Sequence, residues 1–560
     1  MANLILGPML RYVGPSEATV WVETDTPCEV EVLVGGSGHR APTFAVGGHH
    51  YAIVRVTALE PGSSYEYVVK LNGKEVWPEP GYNFPASTIR TLSPDGKLTF
   101  AYGSCRVSVP HEKPYTLRRG KFSPSGGVRG RRFERDALHV LALRMISEAR
   151  ARWPDALVLL GDQVYADEVS MGCREFIRSR RDTKQSPGEE VADFEEYTHL
   201  YWDSWKDPAI RWLLSTIPSV MIFDDHDVHD DWNTSEAWVR QMRKEPWWEE
   251  RIVGAFMSYW IYQHLGNLSP EELEEDELFA QVQEAKDPTR VLREYAYQAD
   301  RDVRLARWCF HRDFGRVRLL MIDARAARVL EERNRSMLDD EEWAWIEEKA
   351  TGDFDHFLLG TSLPLFLSPG LHHLEAASEA VCRGAWGRLA ARLGESIRQK
   401  LDLEHWAAFH DSFENLVELL RSVAFGERSE GRPPASIVVL SGDVHHGYLA
   451  EISFGDGAQK SPLYQSAGSP LRNPLSLPER SSLGAGWTRL GELVGKTLAR
   501  LAGVEEPPLR WRLMHEKPWF DNHVSTLELR GRQVTLKVEK TIPEDAGERQ
   551  LYTLLEQRLA

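Results

Sequence analysis

Over residues 1–95 apolar and polar positions alternate. Segments 18–23, 29–34, 51–56 and 65–69 each show period-two patterning, with Gly, Pro and Ser turns between them. Side chains that alternate in this way predict half-buried strands. Strands this short and regular predict a small all-β sandwich, immunoglobulin or fibronectin type III in style. No cluster of metal ligands or nucleophiles falls within it, so it reads as a structural or docking module. The pattern changes near residues 91–96.

From residue 98 onward short apolar runs alternate with helix-period stretches, which predicts an α/β domain over 96–560 with crossover connections. The runs are 98–102, 156–160, 220–223, 318–322, 357–359 and 437–440. Each is followed at once by polar, reactive side chains. The first ends in Gly103, Ser104 and Cys105, and the second in Gly161, Asp162, Gln163, Val164, Tyr165, Ala166 and Asp167. The third ends in Asp224, Asp225, His226 and Asp227, with Asp230, Asp231 and Trp232 close behind. The last three end in Asp323, Ala324 and Arg325, in Gly360, Thr361 and Ser362, and in Ser441, Gly442, Asp443, Val444, His445 and His446. In open α/β sheets the ligand crevice lies beyond the carboxyl ends of the strands, so these segments are expected to converge on one site. Helices are predicted over about 134–153 and along 387–422, and strands over 524–529 and 533–538 would complete the second sheet. Two insertions interrupt the scheme, at about 111–133 and 235–300. The second holds a Trp- and Tyr-rich helical stretch, 247–264, that reads as packing.

A chain of 560 residues exceeds one ordinary core, which agrees with this division. Its net charge of -17 argues against general binding to nucleic acid or to anionic membranes. The exception is local: Arg118, Arg119, Lys121, Arg129, Arg131 and Arg132 crowd the first insertion. That stretch reads as a solvated loop, with a lid that attracts an anionic substrate as the functional alternative. Five widely spaced cysteines are odd in number and form no disulfide framework, which fits a reducing compartment. No basic leader precedes the first apolar stretch, and no run reaches the length of a membrane span, so a cytoplasmic location is expected.

The densest chemistry lies at 224–232, where five carboxylates and two imidazoles share nine residues. Like charges packed this closely at the end of a core strand call for cations among them. Asp162 can bridge two cations, one on each oxygen, and Tyr165 lies three residues on. Cys105, as a thiolate, prefers transition metals, and a phenolate beside it favours a trivalent ion such as ferric iron; the alternative is a buried, inert thiol. Asp443 and His445 alternate across a strand end and so face one side, able to hold a cation, with His446 turned away. Asp225 is the better ligand at its position, and His226 the better proton donor or phosphoryl-oxygen stabiliser. Arg325 offers a planar fork that suits phosphate, or else a salt bridge to Asp323. Two cations that clamp an in-line displacement at phosphorus explain this residue set best, which points to hydrolysis of a P–O ester by metal-activated water.

Taken in order, these motifs resemble the alkaline phosphatase D (PhoD-like) branch of the metallophosphatases, within the calcineurin-like phosphoesterase superfamily. The resemblance covers roughly residues 98–540, and the N-terminal sandwich is similar to the domain that precedes the catalytic one in that family. It implies a four-layer α/β/β/α catalytic sandwich with phosphodiesterase or phosphomonoesterase activity. It also implies two or more metal ions, iron with calcium (or manganese or zinc). By motif matching, Cys105, Asp162 and Tyr165 would hold the iron-like ion, and Asp162 would bridge to a second site completed by Asp225, Asp443 and His445. His226 would assist the leaving group or bind phosphate. The chain departs from the pattern at 360–364, which offers no His, Asn or Gln where a further ligand is expected; His372 or His373 would have to substitute. Two other readings compete. One is a hydrolase that uses Cys105 as nucleophile, activated by His226 or His445, which leaves Asp162, Asp225 and Asp443 unexplained. The other is a non-catalytic, metal-stabilised protein that docks a partner through its sandwich, favoured by the missing ligand near Ser362. The sequence leaves the particular phosphoester and the oligomeric state open.

Overall fold

The computed structural model describes residues 2–93, 96–117, 132–455, 457, 459–543 and 549–560. The expected strands form two N-terminal sheets. One runs Leu4–Val13, Ala18–Thr24, His49–Val56, Phe44–Val46; the other runs Ser37–Pro42, Glu29–Val34, Ser64–Leu71, Lys74–Trp77, with Thr88–Arg90 added to Ser64–Leu71. Val20, Val22 and Val54 of the first sheet meet Val32, Val69 and Leu71 of the second in a dry core.

The first sheet departs from simple alternation. Ala18–Thr24 is buried at every position, because its other face packs on the α/β region. Trp21 lies 5.3 Å from Tyr262 between ring centres. Arg11 donates to the carbonyls of Ser219, Tyr262 and Gln263 at 3.2, 2.8 and 2.7 Å. That sheet face is therefore already covered by the rest of the chain. This weighs against a partner docking there.

The α/β region holds two mixed sheets face to face. One runs Ser219–Met221, Ala156–Leu159, Leu98–Gly103, His523–Arg530, Gln533–Lys540, Tyr552–Arg558. The other runs Phe310–Phe314, Val317–Ile322, His356–Thr361, Ser436–Ser441, Leu463–Ala467, Tyr448–Phe454, Leu509–Leu513. Phe100, Val158 and Val220 meet Leu319, Leu358 and Val438 between them, and separate apolar clusters lie under the helices on each outer face. This is the expected α/β/β/α sandwich. Strand His523–Arg530 pairs antiparallel with Leu98–Gly103, so the C-terminal strands extend the sheet that carries the first three strand ends. All six polar segments leave strands that run parallel within their sheets, and so emerge at one end.

The helices differ from expectation in ways that bear on function. The stretch 387–422 divides into Arg388–Lys400 and His410–Ala424, with 401–409 dropped between them toward the strand ends. No Pro or Gly signals this break. It is stabilised from outside, by burial of Glu404 and His405 among charged partners, which overrides local helix preference. The first helix is shorter than predicted, Ala137–Ser147, and is capped by the Asp136 side chain. The insertion at 235–300 is helical, and Trp248–Tyr262 is buried on nearly every side, as its composition suggested. Of the basic insertion, Arg118, Arg119, Lys121, Arg129 and Arg131 lie outside the described residues, as do Pro94 and Asp95 at the expected domain boundary. Among the described residues no helix is long and apolar enough to cross a membrane. The five cysteines are unpaired.

Candidate active site

The chain makes an abrupt turn where each strand ends. Gly161 sits at φ +102°, and a Cβ there would lie 2.6 Å from that of Asp224. Cys105, Asp162, Asp443 and His445 all occupy the left-handed region, at φ of 56°, 54°, 61° and 49°. For residues with a Cβ this conformation costs about 1 kcal/mol or more each, and such strain concentrates at functional sites. This corrects the expectation for Asp443 and His445. Their strand stops at Ser441, and they reach the site through left-handed turns, not by alternation along a strand.

The turns bring the side chains into three overlapping groups: Cys105, Asp162 and His445; Asp162, Asp225 and His226; and Asp224, Asp225 and Asp443. In each group the ligand atoms lie within 4.8 Å of one another. Asp162 and Asp225 each belong to two groups, as bridging ligands would. Tyr165 Oη donates to Asp162 Oδ2 at 3.2 Å and accepts from Asn473 Nδ2 at 3.3 Å. Cys105 Sγ accepts from Ser469 Oγ at 3.1 Å. His445 sets Nδ1 against the Asn473 carbonyl at 2.9 Å, which orients Nε2 for a ligand role.

Three buried carboxylate oxygens, Asp162 Oδ1, Asp224 Oδ2 and Asp225 Oδ1, receive no hydrogen bond. Burial, then repulsion from neighbouring carboxylates, raises the pKa of Asp162 well above the usual range. Asp224 and Asp225 are raised too, mainly by burial, although Arg325 opposes it. Burial followed by Asp162 does the same to the Cys105 thiol and the Tyr165 phenol. Cations placed among these groups would reverse every one of these shifts, and the mix of carboxylate, imidazole, thiol and phenol suits them. The residues present fit metal ions.

Arg325 is the buried counter-charge. It is fully buried and donates to Asp224 Oδ1 at 2.6 Å, Glu404 Oε1 at 2.5 Å and Asp443 Oδ1 at 3.3 Å, with Asp225 Oδ1 at 3.4 Å. The guanidinium does not pair with Asp323, whose carboxylate accepts instead from the backbone N–H groups of Arg325, Ala326 and Ala327. Committed to these carboxylates, it does not open toward a substrate.

The segment at 360–364 supplies Ser362, buried with an unpartnered hydroxyl. His372 and His373 do not substitute for a ligand there. Both lie on the helix Pro369–Cys382, where His372 packs on Phe413 and Trp511 and His373 lines a different cavity. His405 is found beside the site instead. Its Nε2 lies 3.1 Å from Asp443 Oδ2, and its Nδ1 lies 2.8 Å from Glu375 Oε1. Burial alone would lower its pKa, but these carboxylates hold it well above the ordinary value. Nothing in the sequence pattern marks His405, Glu404 or Glu375, because none follows a strand. Their one trace is an acidic cluster inside an apparent helix.

His226 stands at the edge of the cleft, its side chain 16% exposed, with Nδ1 on the Asp167 carboxylate at 2.9 Å and its ring 4.3 Å from that of Tyr165. Burial lowers its pKa, but Asp167 and Asp225 outweigh burial and raise it well above the ordinary imidazole value. His446 faces elsewhere, its Nδ1 on the Val444 carbonyl, and burial lowers its pKa to about 4. The cleft has a volume of about 610 Å³. Its lining includes Asp225, His226, Asp443 and His445, the carboxylates of Asp230 and Asp402, and the apolar Leu371, Leu374 and Leu401.

Comparison with known proteins bears on this geometry. No curated protein matches the chain. A solved structure titled "Structure of PhoD" superposes with a TM-score of 0.57 at 13% identity, covering 99% of this chain and 92% of that one. A purple acid phosphatase, PPD1, isolated from yellow lupin (Lupinus luteus) seeds, gives a TM-score of 0.45 at 12% identity, covering 98% of this chain and 73% of the other. Residues 1–89 match a domain of unknown function, DUF7800. The model of the PhoD-like phosphatase family matches residues 140–474, more than half of the sequence and most of the strand ends that build the cleft, and the chain belongs to that family.

Proposed function

We propose that the chain is a metal-dependent phosphoesterase that hydrolyses a P–O ester of a phosphodiester or phosphomonoester. The observation that carries this reading is the set of three buried carboxylate oxygens that receive no hydrogen bond, on Asp162, Asp224 and Asp225, within clusters that also hold Cys105, His226, Asp443 and His445. In this reading Cys105, Asp162 and Tyr165 would hold an iron-like ion together with His445, which groups with Cys105 and Asp162 and so moves from the second site expected from the sequence; Asp162 would be shared with that second site, formed by Asp225 and Asp443. Calcium, manganese or zinc suits that oxygen-rich group. When bound, such ions supply Lewis acidity to the phosphoryl oxygens and to water.

The protein's own groups do the rest. Arg325 fixes Asp224 and Asp443 from behind and is a positioning residue. His405, held by Glu375, orients the second oxygen of Asp443. His226, with Nδ1 on the Asp167 carboxylate, presents Nε2 at the cleft, where it donates a hydrogen bond to a phosphoryl oxygen or a proton to the departing oxygen.

A thiol nucleophile accounts for less. Cys105 is fully buried, and its pKa is pushed up by burial and by two carboxylates, the opposite of activation. Five free thiols suit a reducing compartment, and on that ground we place the protein in the cytoplasm. The test is hydrolysis of a chromogenic phosphodiester and a chromogenic phosphomonoester by wild type, Asp225→Asn and Cys105→Ser, each with chelator or iodoacetamide. The reading predicts that chelation and Asp225→Asn each remove about a hundredfold or more of the activity, with iodoacetamide inert. Activity that survives chelation and is lost to iodoacetamide would replace it with the thiol mechanism.

A further inference from the structure

Exposed apolar surface is concentrated in one part of this molecule. Among the described residues, every large hydrophobic side chain that stands exposed, Leu305 excepted, lies within 386–401 or 477–501. The cause is the packing of three helices. Pro369–Cys382 lies between Arg388–Lys400 and Arg489–Leu501, and the contacts are made by small residues. Gly394 meets Val381 and Cys382, Gly495 meets the backbone of Gly370, and Ala499 meets Ala377. With small residues turned inward, the large ones face water. Leu389, Leu393 and Ile397 form a stripe at four-residue spacing, 77%, 67% and 49% exposed.

The stripe is continuous at both ends. Trp386 Nε1 donates to the Leu501 carbonyl at 3.0 Å, which joins it to the exposed face of Arg489–Leu501. At the other end Leu401, itself exposed, lines the catalytic cleft beside Leu371 and Leu374. Arg388, Arg392, Lys400 and Arg489 are exposed on the same helices, and among the described residues none of them has an ion-pair partner. In a chain of net charge -17 this is a local reversal of sign.

A leucine stripe bordered by unpaired bases is the chemistry of a helix that lies in a lipid interface. We infer that this face docks on an anionic phospholipid bilayer and sets the mouth of the cleft at the headgroup layer. The role of the cleft rests on the phosphoesterase reading; the docking does not. Two copies closing on this face would bring like charges together, whereas a bilayer supplies both apolar depth and counter-charge. The overall negative charge is screened beyond about 8 Å at physiological salt, so the local bases govern the contact.

The test is cosedimentation of the full chain with vesicles of phosphatidylcholine plus phosphatidylglycerol, and with phosphatidylcholine alone. The variant Leu389→Asp/Leu393→Asp is run in parallel, with analytical ultracentrifugation in the absence of lipid. Both positions are exposed and neither lines the cleft, so the variant folds and turns over a chromogenic phosphodiester as wild type does. We expect wild type to pellet with the mixed vesicles, several-fold less with phosphatidylcholine alone, and the variant to lose about tenfold or more in partitioning. Wild type that stays in the supernatant with both vesicles overturns the inference. A wild-type dimer that the double substitution splits also overturns it and assigns the face to a second copy. Wild type that pellets yet hydrolyses neither ester supports the docking while sinking the phosphoesterase reading.

Discussion

Replacing Arg325 with Met withdraws the buried cation from among Asp224, Asp225, Glu404 and Asp443. Two of these keep a partner, since Arg328 stays on Glu404 at 3.2 Å and His405 on Asp443 at 3.1 Å. Asp224 and Asp225 lose their cation, including a contact of 2.6 Å between the fully buried Arg325 and Asp224, although Asp225 Oδ2 still accepts from the Asp231 N–H at 3.0 Å. Removing one partner of a buried pair costs about 3–5 kcal/mol. Uptake of a proton by Asp224, whose pKa burial already raises, limits the loss, so we expect about 4 kcal/mol at neutral pH. At about 2 °C per kcal/mol for a large cooperative unit, the midpoint falls by about 8 °C. The assay is thermal unfolding of chelator-treated protein followed by near-ultraviolet circular dichroism across a pH series. Carboxylates without their arginine have folded-state pKa values above those of the unfolded chain. Stability is therefore present at low pH and is lost as pH rises through the folded pKa, and the deficit of the variant narrows toward acid. A midpoint equal to wild type at neutral pH, or a deficit that widens on acidification, would refute this account of Arg325.

The N-terminal sheet offers a pH-dependent contact of its own. His49 bridges Glu23 at 2.8 Å and Glu195 at 3.0 Å; burial lowers its pKa, but the two carboxylates prevail and raise it to about 9. The contribution of this pair is complete below about pH 6.5 and is lost as pH rises through about 9; it is worth about 1–2 kcal/mol once screening at the half-exposed Glu195 is allowed for. Urea unfolding of His49→Gln should lack that alkaline decline, and an unchanged pH profile would contradict the assignment. Ala at position 161 places a Cβ 2.6 Å from that of Asp224 at φ +102°, so Gly161→Ala should lose about 2–4 kcal/mol in urea unfolding and most of its phosphodiester turnover. His405→Ala should lower metal affinity or kcat about tenfold to a hundredfold with a smaller change in KM, read from steady-state kinetics under metal titration; wild-type kinetics would remove His405 from the site.

Much of this arrangement is legible in the sequence, because most of it follows from strands. A strand buried on both faces reads as a continuous apolar run, and the crevice of an α/β sheet lies past its end. Cys105, Asp162, Asp225 and Asp443 could be placed together on those grounds alone. Periodicity does not extend to the loop at 401–409. Glu404 and His405 are drawn into the site by Arg325, Arg328, Glu375 and Asp443, all distant in sequence, and the residues around them are good helix formers. The fate of Arg325 was equally hidden, since pairing with Asp224 and Glu404 depends on how two sheets face each other. The contact between the N-terminal sandwich and the region that follows it was hidden for a related reason. Alternation reports one buried face, and in Ala18–Thr24 the second face is buried by Tyr262 and its neighbours.

The central claim is that the converging carboxylates, thiol and imidazoles hold metal ions that serve phosphoester hydrolysis. Elemental analysis of purified wild type and Asp162→Asn, paired with hydrolysis of the chromogenic phosphodiester before and after chelation, tests it most directly. The account predicts iron or another transition metal near stoichiometry in wild type, with both the metal and the activity lost in Asp162→Asn. Wild type free of metal, and inactive after iron, calcium, manganese or zinc is restored, would contradict it.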